Sequence, residues 1–226
     1  MRIEYLKQAW LVLALALGFG GALAFVDRGL ADKIEQNKQD ETLRTAPSLV
    51  GQDLGDPAGL RFVPAKGKGQ SYTVKDSSGA DRLVIESMQR GEDPAVKDLR
   101  VCDMEGKTLG WVIRGSGQGF ADKIELLVGL DASGGQILGM SVLDQKETPG
   151  LGDKVRSDPA WAAQFQGKGA VSDVGVSKTP PAAGSNDIQA VTGATISSTS
   201  VCRIVNTAII AFRNARVAGA ASKAAE

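Results

Sequence analysis

Residues 123–144 read KIELLVGLDASGGQILGMSVLD. Two runs rich in Ile, Leu and Val, 123–131 and 136–144, flank DASGGQ, which is a hairpin-type turn signal. This stretch predicts paired strands, and the same grammar repeats upstream. SYTV (71–74), RLVIE (82–86), LRVCDM (99–104) and LGWVI (109–113) are further strand candidates. DSSGAD and MEGKT supply turns between them.

Helical signals follow the strands. Asp158-Pro159 opens PAWAAQF, with Asp as N-cap and Pro at the first helical position. Trp161 and Phe165 are four apart and are expected in the core. SDVGVSKTPPAAGSND (172–187) reads as a long surface loop. The last element is expected to start just after Ala194. Val201, Ile204, Val205, Ala208, Ile209 and Phe212 fall at three- and four-residue steps, so they line one helical face. The fold class is α+β: an antiparallel sheet with packed helices, preceded by one N-terminal transmembrane helix.

That N-terminal helix is AWLVLALALGFGGALAFV, residues 9–26, an uncharged run about long enough to span a bilayer. Arg2 and Lys7 precede it, which places the N-terminus in the cytoplasm and the remainder across the membrane. Ala22-Leu23-Ala24 also fits a signal-peptide cleavage site. Because the run continues past it, and Trp10 sits near one interface, a retained anchor is the expectation. The expected organisation is an anchor over 1–27, a stalk or linker over 28–60, a domain over 61–217 and a flexible tail over 218–226. The stalk reads as helical from Arg28 to Leu43, and APSLVGQDLGDPAG (46–59) as irregular.

Composition removes whole classes of chemistry. The 226 residues carry 26 basic and 26 acidic side chains, so there is no basic footprint for nucleic acid. There is no histidine, which excludes Ser-His-Asp and Cys-His catalysis in their usual forms, and removes the commonest metal and haem ligand. The only cysteines, Cys102 and Cys202, cannot build an iron–sulfur or zinc framework alone. Redox work by this chain would require an organic cofactor. The two cysteines could pair in an oxidising compartment or stay single and buried.

Two stretches could carry chemistry. Thr192-Gly193-Ala194-Thr195 precedes the last helix, whose unpaired N–H groups attract phosphate. Taken alone, it reads as a helix cap formed by Thr195 or Ser197. ETPGLG, residues 147–152, is a side-chain-poor turn that could lie flat against a planar ligand, or simply be a Pro-Gly turn. GSGQGF (115–120) lacks the context of a dinucleotide fingerprint and reads as a turn between strands. Trp111 and Phe120 could touch a ligand, but core packing is the expectation for both.

Together, ETPGLG and, some 40 residues later, TGATISS resemble the FMN-binding domain family of RnfG and NqrC, and sit closer to the RnfG pattern. The resemblance covers about residues 60 to 215. It implies FMN held by a phosphoester at Thr195, donated from FAD by a flavin transferase of the ApbE type. It implies that Thr192, Gly193 and Ala194 shape the attachment site. Glu147, Thr148, Pro149, Gly150, Leu151 and Gly152 would lie near the isoalloxazine ring. Gln189 stands where relatives often carry an acidic residue, with Asp187 nearby. The implied function is electron transfer within an ion-translocating ferredoxin:NAD oxidoreductase, coupled to Na⁺ or H⁺, with the other subunits as partners. The domain would lie on the periplasmic or extracytoplasmic side of the cytoplasmic membrane. No catalytic acid, base or metal ligand is assigned. The alternatives are an NqrC-like or stand-alone flavin carrier, or a non-redox anchored assembly module.

Overall fold

A computed structural model describes residues 2–65, 70–90 and 97–224. The chain divides into two compact units, Met1–Glu41 and Thr42–Glu226. The first is helical. It belongs to helix α1, Arg2–Leu49, and leaves Trp10, Phe19 and Phe25 largely exposed. By length and composition this helix can cross a membrane. It runs about six residues past the expected helical stalk. The reason lies in the second unit, where Leu43, Ala46 and Leu49 are buried on the sheet and hold the last turns helical despite Pro47.

The second unit is built on an antiparallel meander. Strands β1 (Arg61–Pro64), β2 (Ser71–Lys75), β3 (Asp81–Gln89), β4 (Lys97–Cys102), β5 (Thr108–Gln118), β6 (Lys123–Asp131) and β7 (Ile137–Asp144) lie in sequence order. All six strands read from the sequence are present, and β1 is added. Short helices α2 (Lys154–Ser157) and α3 (Pro159–Ala163) follow. Asp158 caps α3 as expected, its Oδ1 accepting from the Ala160 and Trp161 amides at 3.0 and 3.3 Å. A two-residue parallel pair, β8 (Val176–Ser177) and β9 (Ile188–Gln189), spans the segment read as loop. Helix α4, Thr195–Ala224, closes the fold. The part of the expected tail up to Ala224 is helical; residues 225 and 226 lie outside the described ones.

Strand alternation sends side chains to two cores. Ile113, Leu126, Val128 and Leu130 face α4, whose Val201, Ile204, Val205, Ala208, Ile209 and Phe212 are all buried against them. Trp161 and Phe165 complete this layer, their rings 5.4 Å apart and edge-on. Val112, Leu127 and Leu143 face the opposite side, with the end of α1. Cys102 and Cys202 are buried and unpaired.

One expectation is corrected here. Gly115–Gln118 is strand, paired with Lys123–Leu126, and not a turn. The glycines serve close approach: a Cβ on Gly115 would lie 3.0 Å from both Ala208 and Ile204, and one on Gly117 2.8 Å from Ile204. They let α4 settle directly onto β5.

Candidate functional site

The fold brings the two chemical stretches together at the start of α4. Residues 147–152 leave the end of β7, and residues 192–195 lead into α4. A Cβ on Gly152 would meet Ser197 Oγ at 2.9 Å, and one on Gly193 would meet Leu151 Cδ2 at 3.0 Å. Gly193 takes φ +82, the left-handed bend that turns the chain into the helix.

Glu147 fastens this assembly. It is only 4% exposed. Its Oε1 accepts from the Phe120 and Ala121 amides, each at 3.0 Å, and its Oε2 accepts from Ser197 Oγ at 2.5 Å. One carboxylate thus joins the β5–β6 turn, the 147–152 loop and the first turn of α4. Its oxygens are occupied internally, so Glu147 acts by positioning its neighbours. The backbone leading into the site is held as well. Trp161 Nε1 and Gln164 Nε2 donate to the Gln189 carbonyl at 2.9 and 3.4 Å, and the Gln189 amide donates to Gln164 Oε1 at 2.7 Å.

Capping does not explain the hydroxyls. Ser198 Oγ accepts from the Val191 amide and donates to the Ala194 carbonyl, both at 3.0 Å. Thr199 Oγ1 donates to the Thr195 carbonyl at 2.9 Å, and Ser197 is turned toward Glu147. Thr195 is the first helical residue, and Ala194 before it has no side-chain oxygen to offer. Among the described residues, no hydrogen bond involves the Thr195 hydroxyl. The amides of residues 195–197 have no partner four residues back, and the positive end of a 30-residue helix dipole sits beside that hydroxyl. This is a half-buried alcohol next to a place where phosphate is stabilised.

Around it, apolar side chains face outward. Phe120 is 61% exposed, Leu151 46% and Ile196 59%. Phe120 is therefore not core, contrary to expectation: its backbone is tied to Glu147 in a tight turn, which leaves the ring outside the sheet. Trp111 does pack in the core, 5.4 Å from Phe212, with the Arg216 guanidinium 4.8 Å over its ring. Thr192, Thr148, Pro149 and Gly150 are exposed at the rim, while Ala194 is buried. The donor set suits FMN: amides and a hydroxyl for the phosphate end, and an apolar surface for the ring. The groove of 530 Å³ lined by Arg90, Arg114, Ile204 and Ala218 lies further along α4 and includes none of residues 147–152 or 192–195.

Residues 119–210, which include both stretches, match the FMN-binding domain family. The fold and site thus define an FMN-binding-domain protein with an apolar N-terminal helix. Two relatives narrow this. The chain is 38% identical over 149 residues to the G subunit of the Na⁺-translocating ferredoxin:NAD⁺ oxidoreductase complex of Acetobacterium woodii, covering 65% of this chain and 70% of the relative. It is 27% identical over 220 residues to the G subunit of the ion-translocating oxidoreductase complex of Shewanella baltica, covering 95% and 92%. The chain belongs to this family of RnfG-type, FMN-binding proteins. The crystal structure of Shewanella oneidensis NqrC shares the fold, with a TM-score of 0.57 and 21% identity over 80% of this chain and 99% of that one.

Proposed function

We propose that this protein is the membrane-anchored FMN subunit of an Rnf-type ferredoxin:NAD oxidoreductase coupled to Na⁺ or H⁺ translocation, with FMN esterified to Thr195. The observation that supports the site assignment is the Thr195 hydroxyl, unpartnered among the described residues, at an uncapped helix start two residues after Gly193, which packs on Leu151. The orientation rests on Arg2 and Lys7 ahead of the apolar run, with the Thr42–Glu226 unit on the extracytoplasmic side.

In this reading the Thr195 oxygen would displace AMP at the FMN-side phosphorus of FAD, one P–O bond forming as the pyrophosphate bond breaks and AMP leaves with the bonding pair. The proton goes to a base on a separate transferase of the ApbE type, because this chain holds no histidine to take it. The amides of residues 195–197 stabilise the phosphate that results. Gly193 leaves room beside it. Phe120, Leu151 and Ile196 offer surfaces that shield the ring from water, and Glu147 with Ser197 keeps them in register. Bound FMN would supply one- and two-electron redox chemistry, which suits electron transfer between subunits of such a complex.

Co-expression with the transferase tests this. The denatured chain should give a fluorescent band under ultraviolet light, and the Thr195 peptide should gain the mass of FMN less water. Thr195→Val should be dark. A dark wild-type band refutes the assignment.

A further inference from the structure

Asp153 has a side chain whose purpose the fold does not supply. It stands at the N-cap of α2, where an aspartate ordinarily accepts from helix amides, yet its side chain makes no capping hydrogen bond. Its Oδ1 is buried and, among the described residues, has no donor. Buried carboxylate oxygens are almost always satisfied, and an orphan one is a standing cost to the fold.

Its surroundings indicate which donor is missing. The Asp153 amide donates to the Thr148 carbonyl at 3.3 Å and closes the 148–153 turn. The two residues before it are the ones packed on the attachment segment, Leu151 against Gly193 and Gly152 against Ser197. A carboxylate accepts and repels anions, so the partner is an O–H or N–H group and not the phosphate. In FMN the ribityl chain, which carries several hydroxyls, joins the phosphate to the ring. Because Leu151 and Gly152 pack on the segment that leads to Thr195, a flavin attached there would have its ribityl chain within reach of residues 151–153. We propose that Asp153 is a flavin-binding residue, its Oδ1 accepting from a ribityl hydroxyl. This rests on the attachment of FMN to Thr195 argued above.

The test compares full-length wild type, Asp153→Ala and Asp153→Asn, each purified with and without transferase co-expression. Attachment is confirmed by peptide mass, and thermal midpoints are recorded for both forms. A ligand that contacts only the folded state raises the midpoint. The rise on flavin attachment should fall in Asp153→Ala to less than about half the wild-type rise. Asp153→Asn keeps an acceptor oxygen and should recover most of it. Flavin-free Asp153→Ala should be no less stable than flavin-free wild type, because it loses only an orphan acceptor. Equal rises in wild type and Asp153→Ala overturn the inference, as does an equal loss of stability in the flavin-free and flavin-loaded forms. If the wild-type chain takes up no flavin, both this inference and the Thr195 attachment fail; equal rises on a flavinylated chain sink this one alone.

Discussion

Removing the Thr195 hydroxyl and removing the Glu147 carboxylate should have opposite consequences. Among the described residues the Thr195 hydroxyl has no partner, so Thr195→Val should abolish flavin attachment while unfolding stability changes by no more than about 0.5 kcal/mol. Glu147→Ala leaves two buried amides and the Ser197 hydroxyl without their acceptor. At about 1–3 kcal/mol per stranded group, it should cost about 3 kcal/mol or more. Ser197→Ala removes one of those bonds and should fall between them. Denaturant titration of the flavin-free chains checks the ranking; a Thr195→Val loss equal to that of Glu147→Ala would show that the hydroxyl is structural. Cys202 supplies a pH test. Burial pushes its thiol up to about 12, and Asp187 adds to the effect. The unfolded thiol ionises near its ordinary value of 9.0, so the native state holds the proton more tightly between these values. Its contribution is complete below about pH 9 and declines as pH rises toward 12. Cys202→Ala should flatten that part of the stability profile. At this scale Thr195 could be singled out because two short motifs together resemble a known family. The role of Glu147 as a clasp was not, since its three donors come from residues 26 to 50 positions away.

Among the elements, α4 was the most readable. Its buried residues follow the helical period, and they all reach the core. Strand β5 was read short, because Gly115 and Gly117 resemble turn residues until the helix above them is seen. Gly115→Val should push Ile204 and Ala208 away and destabilise by about 1–3 kcal/mol, which thermal unfolding would register. Gly129 on β6 is stricter: a Cβ there would overlap the Leu49 carbonyl. Gly129→Ala should therefore displace the end of α1 from the sheet and lower the yield of folded protein; wild-type yield and midpoint would contradict this contact. The end of α1 was misread because Ala46 to Gly59 is rich in turn formers, while its helical part depends on burial against β6 and β7.

For the molecule as a whole, the two compact units make a prediction about truncation. A chain beginning at Thr42 keeps Leu43, Ala46, Leu49 and Val50, and should be soluble without detergent and accept flavin. A chain beginning at Gly51 uncovers Val112, Leu127 and their neighbours on the outer face of the sheet, and should aggregate. Size-exclusion chromatography separates the outcomes; a soluble monomer from both would show that the end of α1 is dispensable. By itself, the sequence determined the type and order of nearly every long element, because periodicity, caps and turn residues act through neighbours a few positions apart. It also singled out Thr195, through the family resemblance that the two motifs carry together. Only the tertiary structure decided which small residues turn the chain and which admit a helix, which aromatic ring is core and which faces outward, and which carboxylate is a clasp and which an orphan. Each of these depends on atoms brought together from distant parts of the chain, and local pattern carries no record of that contact.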